Sequence, residues 1–395
     1  MESKIRIYTL LIALLLASLS ALLWLLNTLS ISYDEAQIFF KTPHFANFAH
    51  FSSRLSTRIF GQNDFALRLP FLLLHFCNTL LMFYLSKVFL KRQSDALFSA
   101  LLFCLLPGVN AAALLVSNAG IVIFFTLLFC IIVQKTNQIP YLLLILLAFI
   151  DTSFALLFLA LVFYAMTQKK TKLLLVSLIL FALNMYLFGL SIRGHPKGYF
   201  LDANGHLMLI FSPLVYLYFL YTLYRYFNAK TKPLMWYIAF CALIFVWLLS
   251  LRQRVQIEQF APFLLLGIPL MTSLYFSGLR VRLPQFRTRY KIPFLATFIV
   301  LLAVNATLFL SKPLFVFIPD TNEHFAYRHF IAKELAIALH KKGIKSVKTD
   351  KNLQLRLKFY GIQEGGAQLY DSPKSGAKKI PILYYGKTIT TFYLK

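Results

Sequence analysis

Apolar runs of membrane-crossing length recur along this chain and decide its class before any motif is read. The first, Ile5 to Leu29, is about 25 residues, enough for a helix to cross the ~30 Å hydrocarbon core of a bilayer. Inside lipid each backbone N–H and C=O needs an internal partner, so such runs are read as helices. Hydrophobic residues make up 59% of the sequence and charged residues 14%, more apolar surface than a soluble domain buries. The fold class expected is an all-α polytopic membrane protein.

The placement of charge orders the runs. Lys4 and Arg6 precede the first one, which is too long for a signal-peptide core and is read as a retained span with an inner N-terminus. A second span opens at Arg68-Leu69-Pro70, and a third runs from Ala96 to Val116 with a kink at Pro107-Gly108. A fourth returns to Lys135. Tyr141 to Met166 is read as a hairpin turning at Asp151, because Lys169, Lys170 and Lys172 should share the side of Lys135. Leu173–Leu190, Leu207–Tyr224, Leu234–Leu249, Phe260–Phe276 and Phe294–Leu310 complete about eleven crossings. Arg280, Arg282, Arg287, Arg289 and Lys291 then form a basic inner loop.

Two segments stand outside the membrane-spanning part, residues 1–318. In the outer loop, 30–67, Phe48, Phe51, Leu55 and Ile59 recur at helical spacing, with Arg54 and Arg58 one turn apart. Thr42-Pro43 would start that helix. It either lies in the membrane surface or packs on the protein's own spans. The tail, 319–395, reads as a small α/β domain. Ile331, Leu335, Ala338 and Leu339 mark a helix ending at Gly343, and strands follow at 344–347, 368–370, 380–385 and 389–394.

The formal charge of +26 would suggest nucleic acid in a soluble protein. Here the cations sit in loops and tail, where topology and anionic lipid or phosphate explain them, so membrane lipids are the partners expected and nucleic acid is not. Cys77, Cys104, Cys130 and Cys241 fall inside apolar runs as small buried residues. His195, Asp202 and His206 read as ordinary loop residues. No metal set or cofactor is expected.

Candidate chemistry centres on Asp34 and Glu35, an adjacent pair at the lipid–water boundary in a chain with only 14 acidic residues. A carboxylate there can act as a general base towards a substrate partly in lipid. Arg54, Arg58, Arg68, Arg193, Lys197, Arg252 and Arg254 fall at outer helix ends, against the positive-inside tendency. They suit lipid phosphate, or else pair internally with Asp34, Glu35 or Glu258.

Two stretches carry a family resemblance. Tyr33-Asp34-Glu35-Ala36 after the first span, and Gly61-Gln62-Asn63-Asp64-Phe65-Ala66-Leu67-Arg68-Leu69-Pro70 opening the second, resemble GT-C glycosyltransferases of the protein O-mannosyltransferase and aminoarabinose lipid A transferase type. Thr42-Pro43-His44-Phe45 stands where those enzymes carry a His-Pro-Pro type sequence, and Ser117-Asn118-Ala119 where they carry Thr-Pro-Asp. The resemblance implies an inverting transfer of sugar from a polyprenyl-phosphate donor to a lipid, glycan or protein acceptor. It places the reaction on the outer face of a bacterial inner membrane, with the tail domain periplasmic. It makes Asp34 the base, with Glu35 orienting it or contacting sugar. Arg68 would hold the loop or phosphate, and Arg252 and Arg254 would stabilise the departing phosphate. From their outer position, and not from the resemblance, Arg54, Arg58 and Glu258 are added to the expected substrate-binding set. The rival class is a lipid-linked-substrate transporter or flippase, and an inactive GT-C-like protein is a third reading.

Overall fold

The computed structural model describes residues 2–41, 47–189, 198–318, 324 and 326–395. Thr42, Pro43, Arg193, His195 and Lys197 lie outside them.

Helix α1 (Glu2–Leu26) is followed by the short α2 (Tyr33–Phe40) and by α3 (Phe48–Phe60), which starts at Asn47, whose side chain accepts from His50 N. Ala49, Ser52, Ser53, Ser56 and Thr57 form the buried face of α3, while Phe51, Leu55, Ile59 and Phe60 are exposed. Small residues thus pack this helix on the protein, and the apolar stripe faces outward, as a lipid surface requires. The next helix, α4 (Asp64–Phe89), begins four residues before the expected Arg68, capped by Asn63.

Then come α5 (Gln93–Leu105) and α6 (Pro107–Leu114), bent by 61° where Pro107 lacks an N–H and its ring blocks the preceding turn. After α7 (Ala119–Thr136), α8 (Tyr141–Leu147) and α9 (Phe154–Thr167) form a hairpin. Lys172 lies 5.3 Å from the ring of Tyr141 and Lys170 5.7 Å from that of Tyr164, so both arms return to one level. At the tip, Asn184 Nδ2 donates to the carbonyls of Ala148 and Asp151. Asn184 belongs to α10 (Thr171–Phe188).

Helices α11 (Phe200–Phe211) and α12 (Pro213–Phe227) are bent by 105°, not joined in the straight span expected over 207–224. Ser212, at φ 70°, and Pro213 break them apart. The bundle continues with α13 (Leu234–Ser250), a 3-10 turn (Ile257–Gln259), α14 (Ala261–Leu264), α15 (Gly267–Val281), α16 (Pro284–Phe309) and α17 (Ser311–Leu314). Among the described residues, six helices are long and apolar enough to cross a membrane, or up to eight if each bent pair is one span. The expectation of about eleven crossings is not confirmed: it took each bent pair as one span but also counted α8 (7 residues), α9 (14) and α13 (17), which are shorter than those helices. The basic inner loop is also shorter than expected: Arg287, Arg289 and Lys291 sit in the first turns of α16.

The tail domain has α18 (Ala332–Lys341), β1 (Ser346–Lys348), α19 (Lys351–Phe359), β2 (Gln363–Glu364), β3 (Ala367–Tyr370), β4 (Lys378–Tyr384) and β5 (Lys387–Leu394). Its sheet has the order β2-β1-β3-β5-β4, parallel around β1 and antiparallel around β5. Ile380, Ile382 and Tyr384 alternate inward along β4. Gly343, at φ 74°, follows α18 as a C-terminal stop. The domain's core is continuous with the end of α1: Leu22, Leu25 and Leu26 pack with Phe315, Phe330 and Leu335. The domain therefore sits on the loop that carries α2.

Candidate functional site

The loop leading into α2 is built around a reciprocal cap. Ser32 Oγ accepts from Glu35 N at 3.3 Å, and Ser32 N donates to Glu35 Oε2 at 2.8 Å. Ser-x-x-Glu is the sequence signature of this capping box. Glu35 is buried and has further partners: Val116 N donates to Oε1 at 3.1 Å, and Arg68 Nη2 lies 3.2 Å from Oε2. Burial opposes charge on this carboxyl, but the Arg68 guanidinium and His329 outweigh it and hold the group well below the usual carboxylate range.

Arg68, fully buried, also donates to the Ser30 carbonyl at 3.1 Å and lies 3.7 Å from Asp64 Oδ1. Asp64 in turn accepts from Tyr360 OH at 2.7 Å and pairs with Lys333 at 2.9 Å. Arg356 Nε donates to the Ile31 carbonyl at 2.8 Å, Ile31 N to Tyr360 OH at 2.9 Å, and Ser30 N to the His329 carbonyl at 2.8 Å. Burial, and then the Asp64 carboxylate, push the Tyr360 hydroxyl far up, so it stays a donor. The tail domain thus fixes the backbone before α2 from one side while Arg68 fixes it from beneath.

Successive helical residues diverge by about 100°. With Glu35 locked inward, Asp34 points out of α2 into a cavity of about 860 Å³. The cavity walls are mostly apolar, from α2, the start of α3, α6, α7, α11 and residues 255–265. Their polar groups include Asp34, Asn118, Asp151, His206 and Glu258. A large apolar hollow with a few converging polar groups is the usual form of a ligand site.

These polar groups are themselves positioned. Asn118 accepts from Ala49 N at 3.0 Å and donates to Asp151 Oδ2 at 2.7 Å, and Ser153 N donates to Asp151 Oδ1 at 2.8 Å. His206 Nδ1 lies 2.7 Å from the Asp202 carbonyl, which can only accept, so in the neutral ring Nε2 is left as an acceptor. The Glu258 carboxyl is pushed up, first by its enclosure and second by the Asp34 carboxylate. The two acids therefore share one electrostatic environment.

The remaining candidates fall elsewhere. Arg54 Nε donates to the Phe39 carbonyl at 3.1 Å and its guanidinium lies 5.8 Å from the Phe39 ring, tying α3 to α2. Arg58 is exposed in the last turn of α3. Arg252 and Arg254 are exposed on the segment leading to the cavity-lining residues Val255–Gln259, without lining the cavity themselves. The expected contact of Glu35 with sugar does not fit its side chain, which the cap, Arg68 and Val116 occupy away from the cavity. Arg68 is likewise fully buried, holds the loop and is not part of the cavity lining.

Asn118, Asp151 and His206 were not among the expected site residues. Asp151 is visible in the sequence as a lone acid within an apolar stretch, and Asn118 as a turn residue. His206 and Asp202, expected in a loop, lie within the helix α11, which brings His206 to the cavity wall.

No protein-family model matches the chain, and no curated protein matches it.

Proposed function

We propose that the chain is a membrane glycosyltransferase of GT-C type that moves a sugar from a polyprenyl-phosphate donor to an acceptor. The observation that carries this reading is the placement of Asp34, projecting into a large, mostly apolar cavity from a helix whose position a buried ion pair sets. The sequence resemblance adds the donor class.

In the reaction, an acceptor hydroxyl or amine attacks the anomeric carbon from the face opposite the phosphate. The bond from that carbon to phosphate oxygen breaks, polyprenyl phosphate departs as an anion, and the acceptor proton passes to the Asp34 carboxylate. Glu258, which lines the same cavity, can hydrogen-bond the sugar. Arg252 and Arg254, at the approach to the cavity wall, suit the phosphate. Glu35 and Arg68 take a positioning role.

The test is turnover of polyprenyl-phosphate-linked sugars by the purified full chain in detergent. Release of polyprenyl phosphate with a product heavier by one sugar is the expected result. Donor that binds and crosses liposome membranes uncleaved would overturn the reading in favour of transport.

The proposed orientation has its own check. A reporter active only outside the cytoplasm should be active when fused after Lys395 and silent when inserted at Leu283. The reverse pattern places the Asp34 cavity on the inner side, away from any donor in the outer leaflet.

A further inference from the structure

We propose a second binding site, for an anionic phospholipid, in the membrane leaflet opposite the Asp34 cavity. It lies in a cleft of about 150 Å³ between α5, α12, α15 and α16. This proposal does not rest on sugar transfer.

The cleft's depth follows from α15. With α14 it makes one candidate span, Ala261–Val281, whose 21 residues reach about 31 Å from cavity-lining Ala261 to Val281. The far end of α15 is therefore at the opposite membrane face. The cleft exists because α16 stands off the bundle there. Only Leu301 and Asn305 of its 26 residues are buried, and Asn305 fastens the other half by accepting from Asn110 at 2.8 Å. Over the first half, the cleft is lined by rings: Tyr275 stacks on Phe294 at 4.2 Å and on Tyr290 at 5.4 Å, Phe98 lies 5.3 Å from Phe294, and Tyr218 adds to the lining. Such walls suit an acyl chain.

The mouth of the cleft is cationic. Arg280 is satisfied by Asp95 at 2.5 Å. Arg282, Arg287, Arg289 and Lys291 have no carboxylate within ion-pair distance among the described residues. Arg282 is nevertheless held: it donates to the Gly278 carbonyl at 2.8 Å and stacks 3.7 Å from the Tyr290 ring, and Arg287 Nε donates to the Arg282 carbonyl at 3.0 Å. These two guanidiniums are thus gathered above the aromatic cleft. Val281, Leu283 and Phe286 are exposed among the cations, the mixture found where headgroups meet acyl chains. A phosphate bonded to Arg282 and Arg287 with one tail in the cleft satisfies both surfaces. A zwitterionic lipid brings its own ammonium and satisfies the cations less well. A soluble phosphate leaves the rings uncovered.

The experiment is native mass spectrometry of the full chain, delipidated in detergent and titrated with phosphatidylglycerol, phosphatidylcholine or glycerol phosphate. Phosphatidylglycerol should be retained at about tenfold lower concentration than phosphatidylcholine, the effect of one charge-assisted contact. Glycerol phosphate should not compete. The double variant Arg282→Ala, Arg287→Ala should lose the preference, and Arg282→Lys should keep most of it. Thr297→Trp, which fills the cleft and leaves the cations in place, should lose retention of both lipids. Equal retention of the two lipids by the wild type, competition by glycerol phosphate, or wild-type retention in Thr297→Trp would each overturn the site. Should the double alanine variant not fold, the Thr297→Trp result and the wild-type preference still decide.

Discussion

Asp34→Asn is expected to lower donor turnover by about 10²–10⁴-fold, the range for loss of a general base, with insertion and donor binding retained. The substitution keeps the side chain's size and removes its charge. The structure gives a reason to expect clean behaviour, because Asp34 points into the cavity and the cap of α2 is made by Ser32 and Glu35. The measurement is product formation and donor binding side by side in the same detergent. Full turnover in the variant removes Asp34 from the chemistry. Glu35→Gln serves as the contrast: it weakens the partner of a buried guanidinium, so its first effect is on stability and on where α2 sits.

Arg68→Ala is expected to destabilise the protein by about 3–5 kcal/mol, because it strands a buried carboxylate without its main counter-charge. Glu35 would keep its backbone donors and the neighbouring His329, but the loop carbonyl of Ser30 would lose its guanidinium. Removing both charges is expected to cost less than removing one, since the desolvation of an unpaired charge disappears with it. Thermal unfolding in detergent of Arg68→Ala, Glu35→Gln and the Arg68→Ala, Glu35→Gln double variant gives the coupling. A wild-type transition in Arg68→Ala would mean that the pair contributes nothing to holding the loop. Arg68→Lys should fall between, because a point charge cannot reach Glu35 and the Ser30 carbonyl together as the planar fork does.

How far the sequence was legible depends on the range of the interaction involved. The helices written in long apolar runs, such as α1, α4 and α7, follow from composition and length alone. So does the turn at Asp151, which the surrounding lysines imply. The breaks at Pro107 and Pro213 are written locally, but whether a proline bends a helix or ends its crossing depends on what packs around it. In α19, Leu353, Leu355, Leu357 and Phe359 alternate with period two, and this hides a helix whose tertiary contacts override the pattern. The acidic pair was legible as a pair, and the Ser32-x-x-Glu35 spacing would have given Glu35 the capping role from sequence. Internal pairing of an outer arginine with one of these acids was legible as an alternative, but which arginine, Arg68, 33 positions from Glu35, and the approach of Glu258 to Asp34 were not, because they arise only when distant spans meet.

The contacts between the first loop and the tail domain also impose an order in time. Arg356 and Ile31 are 325 positions apart, and Tyr360 and Asp64 are 296 apart. At translation rates of about 5–20 residues per second, roughly 15–60 s separate the synthesis of such partners. Throughout that interval the loop carrying Asp34 is already made, yet the groups that later bond Ser30, Ile31 and Asp64 do not exist. Until the tail is made, the segment before α2 has its cap and Arg68 but lacks the bonds from His329, Arg356 and Tyr360. The first loop is thus among the earliest segments made, yet it receives its last tethers only after the bundle helices have been synthesised.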